Sequence, residues 1–343
     1  QPLGVEMIAS IQALGHLDRV ESLQPRVTRP RGLRAACLRR LGRLAEASAA
    51  IEAARTVDRT DPFLQYEAMF IAAGSVEPGR LSAKPLAALI EQVRGQEEPL
   101  LEAAFDYLAA GLETEAAAVV ESLPQPGALA LFLLAWIRDR LGRTRASRTA
   151  LAAACRRDPV YQHPWRLEMI AVLEWAAAQR PASPRPVWLL GNLLMARRRT
   201  EEAVALWRRA ERMGETHALL AAGLGHYERH VAKRLDRALA WFRKAAQRDS
   251  GDLYIKKALF DALCALNRSR AAAAYLEREA AAVRKSPQLA FDLMSLYLEW
   301  NDFRRFDAWA LQCRFPVNWN IPGPHRLWAW RQVKEGLVLI GAG

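Results

Sequence analysis

Only four of the 343 residues are cysteine: Cys37, Cys155, Cys264 and Cys313. They form no CxxC pair and have no histidine at metal spacing, which argues against a structural zinc site. Each sits beside apolar residues in a helical pattern and reads as a small buried hydrophobe. Long apolar runs are also missing. The longest, "ALALFLLAWI" over residues 128–137, is short against the roughly 20 residues that a helix needs to cross a bilayer. No GxxxxGK[ST], GxGxxG or GxSxG occurs, nor a Ser/His/Asp or Cys/His grouping, so neither a nucleophile nor a cofactor is expected. No charged n-region followed by an apolar h-region opens the chain, which starts at Gln1 and stops inside the apolar pattern "KEGLVLIGAG". The expectation is an excerpt of a longer polypeptide, with the cytoplasm as its default location.

Alanine and arginine are abundant. Hydrophobic residues make up 51% of the chain, with few β-branched runs, which favours helix over strand. Net charge is +12, and 42 of the 49 basic residues are arginine. Residues 61–130 carry 3 basic and 11 acidic groups, whereas residues 131–250 carry 23 and 11. A nucleic-acid binder gathers its charge into a stripe that neutralises phosphates. These arginines instead fall in turns, as Arg197, Arg198 and Arg199 do, or in pairs on helices, where a solvated face is the simpler reading.

Short apolar patterns recur. Ala171-x3-Trp175, Ala203-x3-Trp207, Ala238-x3-Phe242 and Ala271-x3-Tyr275 follow one another at intervals of 32, 35 and 33 residues, with Phe306 next. A further small residue follows three positions after the aromatic, at Ala178, Ala210 and Ala245. Leu190-Gly191 and Leu224-Gly225 precede their anchors by 12 or 13 residues. The first half continues more weakly through Gly42, Ala47, Ile51 and Ala54, then Gly111, Ala116 and Val120, then Gly142, Ser147, Leu151 and Ala154. Small residues let two antiparallel helices approach closely, and the aromatic fills the gap to the next hairpin. A hairpin of this kind cannot bury its face alone, so stacking is required.

This pattern resembles the tetratricopeptide repeat. The resemblance implies an all-α, right-handed superhelical solenoid of about eight to nine antiparallel helix pairs. Residues 1–160 read as an irregular array, 161–312 as a regular one, and 313–343 as a proline-rich linker opening a further helix. Between Ser147 and Ala171 the two prolines of "DPVYQHPWR" leave room for only a turn in place of one first helix. Residues 73–85, "AGSVEPGRLSAKP", read as a long turn-rich connection. The segment from "RLEMIAVLEW" to "WALQCRF" is further similar to the helical C-terminal part of a large bacterial family of unknown function, in which a mutarotase-like β-sandwich precedes tetratricopeptide repeats. After Phe315 it departs from that pattern.

The tetratricopeptide resemblance places Trp188, Asn192, Met195, His226, Arg229, His230, Lys256 and Phe260 along a concave groove suited to an extended peptide. The carboxylate clamp of chaperone-binding members is not reproduced, because Trp188 stands where its lysine would be. Within "HYERH", His226 and His230 share a helix face as in HExxH peptidases. Glu228, however, lies about 100° away from the position of a general base, and no third metal ligand is evident. Trp165, Trp175 and Trp207 read as core. The expected role is a non-enzymatic scaffold for a protein, a peptide or a β-sandwich of the same polypeptide, with no membrane span. The alternative is a helical toroid glycosidase, or a helical accessory part of a carbohydrate-active enzyme, using Asp106, Glu168, Glu174 or Asp292 as its carboxylates.

Overall fold

A computed structural model describes residues 5–24, 27–74, 83–158, 163–313, 315 and 324–341. Among the described residues there are twenty helices and no strand. The fold is all-α, built of antiparallel helix pairs of the tetratricopeptide type, and the chain divides into two compact units, Gln1–Arg199 and Thr200–Gly343. The seam expected near residue 160 touches positions 159–162, which lie outside the described residues, as do 75–82 of the turn-rich connection and most of the 313–325 linker.

The first unit contains α1 (Val5–Leu23), α2 (Thr28–Arg40), α3 (Leu44–Arg55), α4 (Pro62–Ala72), α5 (Ala83–Gln92), α6 (Glu98–Ala109), α7 (Glu113–Glu121), α8 (Ala128–Arg140), α9 (Thr144–Arg156), α10 (Met169–Gln179) and α11 (Pro184–Ala196). Hairpins α2/α3, α6/α7 and α8/α9 turn on Gly42, Gly111 and Gly142, whose φ values are 76°, 75° and 71°. In each turn the following amide reaches back to the final helical turn: Arg43 N to Leu38 O at 2.9 Å, and both Leu112 N to Tyr107 O and Arg143 N to Arg138 O at 2.8 Å. These are Schellman closures, which satisfy carbonyls that the helix ends leave without partners. The second-helix residues read from the sequence are buried as expected: Ala47, Ile51, Ala54, Ala116, Val120, Ser147, Leu151 and Ala154. Ser147 also donates its hydroxyl to Ala135 O across the hairpin at 2.8 Å. Residues 163–168 form no helix, and α10 packs on both α8 and α11.

The second unit contains α12 (Thr200–Arg212), α13 (Ala218–His230), α14 (Leu235–Arg248), α15 (Leu253–Ala265), α16 (Ser269–Arg278), α17 (Ala280–Lys285), α18 (Pro287–Glu299), α19 (Phe303–Ala310) and α20 (Pro324–Leu339). First helices start at capped positions. Asp252 accepts from Tyr254 N and Ile255 N at 2.7 and 3.2 Å, and Ser286 accepts from Leu289 N just before Pro287. The turns place Lys233, Asn267 and Asn301 in the left-handed region, 34 residues apart. The anchors Ala203, Trp207, Ala210, Ala238, Phe242 and Ala245 are buried.

Two anchors sit one residue away from their expected register. Ala171 is exposed and Trp175 half-buried, while Val172, Leu173 and Ala176 point inward. Ala271 is exposed and Tyr275 half-buried, while Ala272, Ala273 and Leu276 are buried. One residue is 100° of helix, and alanine is small enough to stand on either face. The neighbouring valine and leucine, which have more apolar surface to bury, therefore set the rotation. Alternating helices thus present a repeated face in each unit, and the polar side chains on that face form the candidate site.

Candidate functional site

In the second unit the first helices of three successive hairpins, α13, α15 and α18, carry a band of polar side chains that link one hairpin to the next. The Tyr254 hydroxyl and His226 Nε2 lie 2.6 Å apart. Arg229 approaches Asp261 at 3.7 Å, and Lys257 bridges Asp261 at 2.5 Å and Asp292 at 3.3 Å. Gln288 donates to Asp292 at 3.1 Å. Spacings of three and four residues put Tyr254, Lys257 and Asp261 on one face of α15. Burial holds the His226 imidazole below its ordinary pKa, with His230 and Arg229 adding repulsion, so it is neutral at physiological pH.

Of the expected groove residues, His226, Arg229 and His230 join this band. Lys256 and Phe260 turn the other way. Lys256 is 4% exposed and its ammonium meets Glu279 at 2.5 Å, whereas Phe260, 5% exposed, lies in the core cluster. Trp188, Asn192 and Met195 stand on α11 of the first unit, where Trp188 is buried with the Arg185 guanidinium over its ring. Reading α15 one residue further on would have found Tyr254, Lys257 and Asp261.

His226 and His230 stack at 5.8 Å between centroids. Among the described residues no group of three or more His, Cys, Asp or Glu is suited to a metal. Cys264, next to the band, has its thiol pushed up to about 11 by burial and then by Asp261, Asp292 and Glu299. At neutral pH it is a thiol, not a nucleophilic thiolate.

The first unit gathers charge in two places. In the first, partly buried, Arg29 pairs with Asp106. Arg166 bridges Glu102 and Glu168 at 2.9 and 2.7 Å, its guanidinium lying over Phe105. The Trp165 indole donates to Glu102, and Trp175 donates to Asp139 at 3.1 Å. Thus Asp106 and Glu168 are held by arginines, Glu174 is exposed, and Asp292 belongs to the band of the second unit.

The other place is wholly buried and has no counterpart in the sequence reading. Arg39 on α2 donates from Nε to Glu67 on α4 at 2.6 Å and from Nη2 to Glu115 on α7 at 2.9 Å. Tyr107 on α6 donates to Glu67 at 2.8 Å. All four residues are 0% exposed, so the network ties helices together and cannot meet a ligand. A lone glutamate inside the apolar run "FLQYEAMFIA" is the one signal that could have disclosed it.

No family model matches the chain, and no curated protein does. Among the described residues no helix is long and apolar enough to cross a membrane. Solved structures similar to it include the C-terminal part of a tetratricopeptide repeat-containing protein from Cytophaga hutchinsonii. That match has 11% identity, 88% of this chain and 94% of that one covered, and a TM-score of 0.35. A tetratricopeptide repeat protein from Parabacteroides merdae matches at 13% identity, with 74% and 92% covered and a TM-score of 0.30. YrrB, described as a tetratricopeptide protein with an unusual peptide-binding site, matches at 13% identity, with 71% and 96% covered and a TM-score of 0.26. At such values the assignment to the tetratricopeptide type stands on this chain's own hairpins, turns and anchors.

Proposed function

We propose that the protein is a non-enzymatic scaffold that holds an extended peptide or protein segment along the α13/α15/α18 face of its second unit. The observation that carries this reading is the continuous band from His226 through Tyr254 and Lys257 to Asp292, spanning three hairpins on first helices. It presents donors, acceptors and both signs of charge without a nucleophile or a metal-binding group. Its ion pairs are partly exposed, and pairs in that setting contribute little, so a ligand can exchange them for its own at small cost.

Peptides selected by display against the whole protein provide the test, with affinities measured by titration calorimetry. Arg229→Ala, Tyr254→Ala and Lys257→Ala should each weaken binding about tenfold, the effect of losing one well-placed contact. Unchanged affinity in all three variants would refute the reading.

A further inference from the structure

The second unit also carries a cleft, lined by none of the band residues, that the peptide reading does not use. About 350 Å³ in volume, it lies among α12, α13 and α14 and is lined by Arg208, Arg212, Arg234, Arg237, Trp241 and the two carboxylates Glu211 and Glu228. Glu211 is already held by Lys244 and by both terminal nitrogens of Arg248, the latter at 2.8 and 3.0 Å. Arg212 and Arg237 are exposed and have no ion pair or hydrogen bond among the described residues. Four guanidinium groups thus face two carboxylates, one of which is neutralised from outside the cleft.

Glu228 narrows the choice of ligand. Its side chain is 4% exposed, and Oε1 accepts from Arg208 at 3.0 Å. Oε2 is buried and has no hydrogen bond; its nearest cation is Arg234 at 3.9 Å, whose half-exposed side chain must turn outward for an occupant to reach it. A buried carboxylate oxygen without a donor costs free energy, so an occupant that supplies a hydrogen there is favoured. The same occupant must carry negative charge for Arg212 and Arg237, whose planar forks suit oxyanions.

We infer that this cleft is a binding site for a phosphomonoester group. Near neutral pH such a group carries a charge between about −1.5 and −2, and its monoprotonated form still has one hydroxyl. The oxyanion faces Arg212 and Arg237, the hydroxyl donates to Glu228 Oε2, and the organic part lies against the Trp241 indole. Sulfate, fully ionised and without a hydrogen to donate, is disfavoured by the same carboxylate. The group could come from a phosphorylated side chain or a small phosphate ester, and the two share this chemistry.

Titration calorimetry on the whole protein at fixed ionic strength tests the inference with inorganic phosphate, sulfate, O-phosphoserine and glycerol phosphate as probes. Phosphate and at least one ester should saturate a single site, with sulfate at least about tenfold weaker, the discrimination expected of one unmatched buried acceptor. Arg212→Gln combined with Arg237→Gln should weaken phosphate at least about tenfold while Tm stays within about 1 °C, because both side chains are exposed. Stronger binding of O-phosphoserine than of glycerol phosphate identifies a protein-borne group, and the reverse order a small ester. No saturable phosphate binding, equal affinity for sulfate, or an unaffected double variant would overturn the site.

Discussion

Gly225 of α13 lies against the ring of Phe242 of α14: a Cβ added at position 225 would sit 2.7 Å from Phe242 Cε1. Two helix axes can come this close only because one side chain is a hydrogen atom, and the aromatic ring fills the space so left. The same relation recurs at Gly32, where a Cβ would stand 2.7 Å from Phe63 Cε1. Gly225→Ala should therefore destabilise the second unit by about 1–3 kcal/mol, the usual cost of overpacking. Urea denaturation measures the loss. Phe242→Leu in the same chain should recover part of it, and strictly additive effects of the two changes would show that the contact is not the cause.

How far the sequence disclosed this architecture depends on how much each residue type discriminates between core and surface. Trp207 and Phe242 have large surfaces to bury and fixed the register of their hairpins, whereas Ala171 and Ala271 sit on the outer face of theirs. On α15 the same single-residue step separates Lys256 and Phe260 from Lys257 and Asp261, so the hairpins were legible where the exact face was not. Arg39, Glu67 and Glu115 were invisible for another reason: they are 28 and 76 residues apart along the chain. Charged residues have no apolar periodicity, and only the tertiary fold brings these together.

That network gives the second prediction. Arg39→Met leaves Glu67 and Glu115 buried beside each other without their shared cation, and should cost about 3–5 kcal/mol. Replacing all three with apolar residues of similar volume, as Arg39→Met, Glu67→Met and Glu115→Leu, should be less destabilising than Arg39→Met alone, since the two fully buried carboxylates are then gone and Arg40, which loses Glu115 at 3.3 Å, keeps some exposure to water. Chemical denaturation of both variants checks this. A triple variant weaker than the single one would mean that shape, not charge pairing, holds these helices together.

Asp106 supplies a pH dependence. Burial pushes its carboxyl up from 3.8 to about 6, against the pull of Arg29 and Arg166. The folded protein therefore binds this proton more tightly than the unfolded chain does. Below about pH 4 the group is protonated in both states and contributes nothing. As pH rises from about 4 to about 6 the unfolded chain ionises first and stability falls, levelling off above about 6 after a loss of at most about 3 kcal/mol for a shift of this size. Asp106→Asn should match the wild type at about pH 4 and exceed it at about pH 7.5 in urea denaturation. The same difference between the two proteins at both pH values would contradict the assignment.

The turns give the last prediction. Gly142 and Lys233 both sit in the left-handed region, at φ 71° and 57°. For a residue with a side chain that conformation costs roughly 1–2 kcal/mol, which glycine avoids. Glycine also loses more entropy on folding, by about 0.4–1 kcal/mol. The difference leaves Lys233→Gly with a net gain of a few tenths to about 1 kcal/mol, and Gly142→Ala with a loss of similar or larger size. Thermal and urea melts of the two variants should thus move in opposite directions. Lys233 lies outside the α13/α15/α18 band and the arginine cleft, so its substitution should leave peptide and phosphate affinities unchanged. A Lys233→Gly protein less stable than the wild type would show that the lysine side chain makes a contribution exceeding its backbone strain.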